Sequence, residues 1–284
     1  MSVDLPGRPP VPEPLPSPVV DNHTHLDMPA RDGVGDVPLR DLLDAAASVG
    51  VPRSVQIGCD LPSARWTVEA VDTYPELVGG VAIHPNEAPR LARDGALDAA
   101  LTEIEGLAGH PRVRVVGETG LDWYRTDPGD RAAAAAQHES FRAHIEMAKR
   151  LDLALQIHDR DAHADVLAVL AEAGAPERTV LHCFSGDAEM AAECVRRGYY
   201  LSFAGTVTFN NADTLRKALH VAGPERVLVE TDAPFLTPVP HRGKPNAGYL
   251  VPHTVRSMAA VLDVPVETLC TAIEATTEAV YGPW

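Results

Sequence analysis

Short apolar runs rich in β-branched residues alternate with longer amphipathic stretches along this chain, and each run stops at or near a polar residue. Runs of that kind read as buried strands. Eight are predicted, at Pro18 to His23, Arg53 to Gly58, Leu77 to His84, Val113 to Glu118, Leu153 to His158, Thr179 to Cys183, Tyr199 to Phe203 and Arg226 to Asp232. Helical patterns lie between them, at Leu39 to Val49, Ser63 to Tyr74, Leu97 to Leu107, Arg131 to Leu151, Ala162 to Ala173, Ala188 to Arg197 and Asp213 to Val221. Gly50, Gly109, Gly174, Gly198 and Gly223 stand where helices end in a left-handed turn. Near-continuous apolar strands such as Arg226 to Asp232 imply burial on both faces, as in a parallel sheet covered by helices. Eight βα units over about 250 residues are the rhythm of a (β/α)8 TIM barrel, whose chemistry gathers at the carboxyl ends of the strands. A doubly wound open sheet is the alternative, and it lacks a Gly-x-Gly-x-x-Gly after the first strand.

Those strand ends carry one kind of chemistry. His23 and His25 are two residues apart, so on a strand both imidazoles face the same way. Taken alone the pair is a weak signal, but Glu118, His158, His182 and Asp232 close strands four, five, six and eight. Four histidines and two carboxylates form a mixed nitrogen and oxygen donor set suited to one or two divalent transition ions, with a carboxylate able to bridge a pair. Asp232 is the candidate to orient or deprotonate a water. His84, before Pro85 at the end of strand three, reads as a contact to phosphate or a support for the ligands. His110, His138, His144, His163, His220 and His253 fall in helical or loop stretches and are expected on solvated faces, with His241 intermediate.

Composition narrows the picture. The 284 residues, 45% hydrophobic, suffice for one domain over 18–284, preceded by a proline-rich tail over 1–17 that is expected to be extended and mobile. The tail has neither the basic nor the apolar segment of a targeting peptide. No apolar run approaches the roughly 20 residues needed to cross a bilayer. Cys59, Cys183, Cys194 and Cys270 show no C-x-x-C spacing, which fits reduced thiols in a cytoplasmic protein.

A net charge of −16 with only three lysines argues against wrapping of nucleic acid and confines any such contact to the barrel mouth. Arg125, Arg160, Arg242 and Lys244 lie in loops after strands four, five and eight. Arginine matches phosphate oxygens in pairs, although Asp122, Asp159 and Asp161 are close enough in sequence to claim some of these cations. Trp123, Tyr124 and Phe235 could stack a base or pack the loops.

Several motifs together carry a family resemblance. They are Asp-Asn-His-Thr-His-Leu-Asp from Asp21, Ala-Ile-His-Pro from Ala82, Gly-Glu-Thr-Gly-Leu-Asp-Trp-Tyr-Arg from Gly117, Gln-Ile-His-Asp-Arg from Gln156, His-Cys-Phe-Ser-Gly from His182, Glu-Thr-Asp-Ala-Pro-Phe-Leu from Glu230 and Pro-His-Arg-Gly-Lys from Pro240. The chain resembles the TatD-family metal-dependent hydrolases of the amidohydrolase-type barrels. The resemblance implies a deoxyribonuclease that trims DNA from its 3′ end with two divalent ions per chain, of zinc, manganese or magnesium. It also implies that His23 and His25 hold one ion, that His158 and His182 hold the other, that Glu118 bridges, and that Asp232 sits by the first ion and the attacking water.

One departure is visible. After Arg-Gly-Lys the family commonly has Asn-Glu-Pro, where this chain has Pro245-Asn246-Ala247-Gly248. The same ligands polarise a carbonyl as readily as a phosphoryl group, so a hydrolase of esters or amides, on a small molecule or a charged tRNA end, is the rival reading. A non-catalytic scaffold is a further one, disfavoured by the intact ligand set. No membrane or protein partner is read from the sequence.

Overall fold

The computed structural model describes residues 5–29 and 37–284. In chain order the elements are β1 (Val20–Thr24), α1 (Leu39–Ser48), β2 (Arg53–Gly58), α2 (Leu61–Thr73), β3 (Leu77–Val81), α3 (Ala88–Arg93), α4 (Leu97–Ala108), β4 (Val113–Asp122), α5 (Arg131–Leu151), β5 (Ala154–Arg160), α6 (His163–Ala173), β6 (Thr179–Leu181), α7 (Ala188–Arg196), β7 (Tyr200–Phe203), α8 (Asp213–Ala222), β8 (Val227–Val229), α9 (Val251–Leu262) and α10 (Val266–Tyr281). The strands follow one another in a single sheet in the order β1 to β8. The pairs β1/β2, β3/β4, β4/β5, β5/β6 and β7/β8 are parallel. Just beyond β8, Ala233 bridges back to Thr24 of β1, again in parallel. Sequential parallel strands, separated by helices and returning to the first, make a (β/α)8 barrel.

Packing divides the chain into two compact units, each with its own core. One joins the described residues up to Gln56 to Gly186–Ala279; the other joins Ile57–Ser185 to Val280–Trp284. In the first unit β8 is wholly buried, as its unbroken apolar sequence requires, and Val255, Met258 and Leu269 of α9 and α10 lie in the same core. In the second, Val115, Val116, Leu155, Ile157 and Phe141 are fully buried. From Leu5 on, the proline-rich segment, expected to be mobile, begins with a turn in which the Arg8 N–H donates to the Leu5 carbonyl, and several contacts hold it within the first unit. Leu15 is buried with its N–H donating to the Val49 carbonyl, Tyr249 donates its hydroxyl proton to the Pro9 carbonyl, and Arg256 donates to the carbonyls of Glu13 and Pro14. Among the described residues no helix is long and apolar enough to cross a membrane.

The strand ends differ from the predicted ones in a way that matters for the site. β4 runs to Asp122 rather than stopping at Glu118, with its register against β5 shifting between Val116 and Thr119. β3, β6 and β8 end earlier, so His84, His182 and Asp232 stand on the loops just past their strands. Gly109 closes α4 in right-handed geometry with φ −70°, unlike Gly174 and Gly223, which take positive φ. The helices α3, α9 and α10 are absent from the predicted set. The first is a six-residue helix with Pro89 in its first turn; the other two lie past the last predicted strand, with buried apolar positions 251, 255, 258 and 259 in α9 and 269, 273 and 280 in α10 at helical spacing.

His144 is not on a solvated face. It is fully buried on the core side of α5, because positions 137, 141, 144, 145 and 148 form one stripe at helical spacing. Its Nδ1–H donates to the Ser140 carbonyl at 2.7 Å, and Nε2 accepts the Ile83 N–H at 3.1 Å. Thr119 Oγ1 lies 3.2 Å from Nδ1. The ring therefore ties α5 to the residues beside both His84 and Glu118. Burial pushes its pKa down to about 4. An unfolded chain takes up this proton near pH 6.5 and the folded one only near 4, so the contribution is complete above about 6.5 and is lost as pH falls through that window, with a total on the order of 3 kcal/mol. His144→Gln is expected to remove this part of the pH dependence of the urea midpoint between pH 6.5 and 4. Unchanged pH dependence would contradict the assignment.

Candidate metal centre

Each unit carries a cluster of nitrogen and oxygen donors at the carboxyl ends of its strands. In the first unit, His23 is fully buried on β1, and His25 follows the strand with its backbone N–H donating to the Ala233 carbonyl. Their Nε2 atoms are 3.2 Å apart, and Asp232 Oδ1 lies 3.8 Å from the first and 3.4 Å from the second. Asp232 itself has φ 53°, a conformation that ordinary residues avoid and that recurs at functional sites. Backbone bonds from Asp232 N–H to the His23 carbonyl and from Phe235 N–H to the Asp232 carbonyl keep it there.

Buried side chains support this arrangement. Asp21 accepts the N–H of Thr231 at 2.8 Å and its hydroxyl at 2.7 Å, which locks β1 to the loop bearing Asp232. Burial pushes the Asp21 carboxyl up to about 7, against the opposing pull of those hydrogen bonds. Asn246, which falls in the segment where the sequence departs from the family pattern, is buried and donates from Nδ2 to the carbonyls of Thr231 and Phe235. That segment thus still pins both ends of the Asp232 turn. Ala247 is buried beside it.

In the second unit the centre of the cluster is Glu118. Its Oε1 lies 2.8 Å from His84 Nε2 and 3.5 Å from His158 Nδ1, and its Oε2 lies 2.8 Å from His182 Nε2. His84 and His158 approach to 3.3 Å, and these two with Glu118 form a group able to hold an ion. His84 therefore lies inside the cluster rather than at its margin. Gly120 makes room for this geometry. A side-chain carbon there would come within 2.0 Å of the His158 carbonyl oxygen, and its φ of 144° is one that L residues rarely adopt.

The second nitrogen of His158 is occupied by a residue that sequence reasoning missed as part of the site. Asp122 Oδ2 accepts from His158 Nε2 at 3.1 Å and from Asn86 Nδ2 at 3.0 Å, and Oδ1 accepts the Arg125 backbone N–H at 2.8 Å. A carboxylate behind an imidazole fixes the tautomer and leaves the other nitrogen's lone pair for a metal. The sequence signal was alternation: 118, 120 and 122 share one face of a strand once β4 is read to its true end. Replacing Asp122 with Asn is expected to weaken metal affinity by about 10- to 100-fold, the usual cost of losing such a partner. Isothermal titration with Zn²⁺ or Mn²⁺ reads this directly, and unaltered affinity would contradict the role.

The charges in this cluster are coupled. Burial alone would raise the Glu118 carboxyl, but the surrounding imidazoles of His182, His84 and His158 outweigh it and hold it well below the carboxylate range. Burial opposes ionisation of Asp122 too, and the hydrogen bonds from His158, Arg125 and Asn86 win, so it stays ionised. His158 is pushed down by burial and raised on balance by Asp122 and Glu118, whereas His84 is lowered by burial and by His158. Imidazole nitrogens around ionised carboxylates are a donor set that fits divalent transition ions.

The cations expected to touch substrate are exposed. Among the described residues no aspartate pairs with Arg160; its guanidinium lies 3.8 Å from the ring centre of Tyr124. Arg242 sits 4.1 Å over Phe209, and Lys244 is exposed in the same loop. Asp159 is engaged by His163 at 2.8 Å. Trp123 donates to Asp165, so it packs its loop, and Tyr124 is 63% exposed.

The sequence matches the family of TatD-related DNases over residues 20–282. A relative from Mycobacterium tuberculosis, described as an uncharacterized metal-dependent hydrolase TatD, is 44% identical over 266 residues, covering 93% of this chain and 98% of the relative. An uncharacterized metal-dependent hydrolase of Escherichia coli K12, YcfH, is 36% identical, covering 88% and 91%. Among solved structures, the TatD homologue YjjV of Escherichia coli K12 superposes with a TM-score of 0.82 at 24% identity over 94% of this chain and 98% of that one. The phosphotriesterase homology protein of Escherichia coli, solved with phosphate in its active site, shares the fold with a TM-score of 0.61 at 14% identity over 89% and 97%.

Proposed function

The chain belongs to the TatD family of metal-dependent hydrolases, and from that premise we propose that it is a phosphodiesterase that removes nucleotides from the 3′ end of DNA. The observation that carries the proposal is Glu118 gripped by His84, His158 and His182, with Asp122 setting the tautomer of His158. In this reading His23, His25 and Asp232 would hold one ion, and His158, His182 and Glu118 would hold a second.

A phosphodiester is an anion and resists attack by hydroxide. When bound, divalent ions neutralise that charge and lower the pKa of water. The chain's own residues do the rest. Asp232, partly exposed and held by backbone bonds, accepts the proton of the attacking water at its carboxylate. His84 orients the Glu118 carboxylate. Arg125, Arg160, Arg242 and Lys244 bind phosphate oxygens, which gives affinity without reading the sequence of bases. The phosphate seen in the active site of the phosphotriesterase homology protein is consistent with an anionic phosphoester as the substrate class.

The test is hydrolysis of 3′-labelled single-stranded DNA and bis(p-nitrophenyl) phosphate, beside p-nitrophenyl acetate, under Mg²⁺, Mn²⁺ and Zn²⁺. Ion-dependent release of single nucleotides from the 3′ end is expected. Cleavage of the ester alone would overturn the proposal in favour of a carbonyl hydrolase.

A further inference from the structure

A second basic feature of the second unit lies beside the Glu118 cluster. Arg90 and Arg93 of α3 and Arg125 of the loop after β4 line one open cleft of about 450 Å³, together with Asn86, Pro89 and Thr126. The volume falls within the range of small-ligand sites. Three guanidinium groups around one cleft run against the net charge of −16 of the whole chain. Arg90 is held by Glu87, whose Oε2 accepts from Nε at 3.0 Å and from Nη2 at 2.5 Å, so Arg93 and Arg125 are the cations that the cleft offers to a ligand. Arg93 and Arg125 are exposed, and no carboxylate among the described residues takes up either guanidinium.

The cleft is tied to the candidate metal centre through its wall. Asn86 lines it and donates to Asp122, which accepts from His158. Thr126 lines it on the other side, where its N–H donates to the Asp122 carbonyl and its hydroxyl accepts from Gln137. Gln137 in turn accepts the Asp122 N–H. One hydrogen-bonded frame thus positions both the imidazole and the cleft. Arginine forks match phosphate oxygens in pairs, and no aromatic ring lines the cleft to grip a base.

We propose that this cleft is a subsite for a phosphate of the retained part of a single nucleic-acid strand, away from the bond to be cut. The inference rests on the phosphodiesterase reading and extends it: affinity grows with strand length, and Arg93 supplies a contact that a one-phosphate substrate cannot use. Each phosphate neutralised on a single strand adds about −0.7 to the slope of log affinity against log salt.

The experiment measures binding of dT8 by fluorescence anisotropy across a salt series, in an Asp232→Asn background expected to turn over too slowly to consume the probe, with Arg93→Ala, Arg93→Glu and Arg93→Lys. Binding of thymidine monophosphate is measured beside it. Arg93→Ala is expected to weaken dT8 binding about three- to tenfold and to make the salt slope shallower by about 0.7, as loss of one phosphate contact requires. Arg93→Glu should weaken it more, and Arg93→Lys should recover most of the affinity. An unchanged slope with Arg93→Ala, an equal loss with thymidine monophosphate, or no dT8 binding by the parent would overturn the subsite. A parent that binds dT8 through Arg93, from a wild-type chain that hydrolyses no phosphodiester, would reject the enzymatic reading and keep the subsite.

Discussion

Glu118→Ala is expected to strip most of the bound divalent metal from the protein and to abolish nearly all phosphodiester turnover while leaving the chain folded. His84, His158 and His182 all approach this carboxylate, so its loss removes the charge they share and leaves only Asp122, behind His158, to balance that cluster of imidazoles within the second unit. The effect should exceed the roughly 100-fold that loss of a ligand's supporting partner costs, because the ligand itself is gone. Folding should survive, because the apolar core of the second unit, around Val115, Ile157 and Phe141, does not depend on it. Elemental analysis of the purified variant against wild type, with circular dichroism as the control for folding, decides the matter. Metal content near the wild-type level would remove Glu118 from the ligand set.

Asp232→Asn separates proton transfer from metal retention. Asparagine has the same shape, tolerates the left-handed backbone that Asp232 adopts, and can still coordinate through its oxygen. It cannot take a proton from water. Turnover is therefore expected to fall by about 10²- to 10⁴-fold, the usual worth of a general base. Metal content should stay within about twofold of wild type, since the His23 and His25 nitrogens remain and the amide oxygen stays in place. A rate within tenfold of wild type would reduce Asp232 to a ligand with no part in the proton's path.

Much of this was legible in the sequence because the barrel puts its chemistry at strand ends, and polar residues that interrupt apolar runs stand out. His23, Glu118 and His158 are visible for that reason, and the structure places them on β1, β4 and β5. Asp122 was hidden by a strand boundary. With β4 cut at Glu118, the aspartate reads as a loop residue available to an arginine, whereas on the longer strand it shares a face with Glu118 and reaches His158.

His144 was hidden by residue type. Its position lies on the apolar stripe of α5 with Phe141, Ile145 and Ala148, and periodicity placed it in the core more reliably than polarity placed it outside. Asn246 carried no local signal at all, because its partners, the Thr231 and Phe235 carbonyls, are defined only by the turn that holds Asp232. The arginine cleft is of the same kind. Arg90 and Arg93 are one turn apart on a helix absent from the predicted set, and only the fold brings them to Arg125.

If, as proposed, the histidine and carboxylate clusters hold divalent metal for phosphodiester hydrolysis, turnover depends on the ion. The most direct measurement is the rate at which 3′-labelled single-stranded DNA is shortened by protein stripped with a chelator and then titrated with Mg²⁺, Mn²⁺ or Zn²⁺. No shortening by the stripped protein is expected, with recovery that saturates at about two ions per chain, as two ligand sets require. Shortening at full rate by the stripped protein, or none under any of the three ions while the protein binds them, would contradict the proposal.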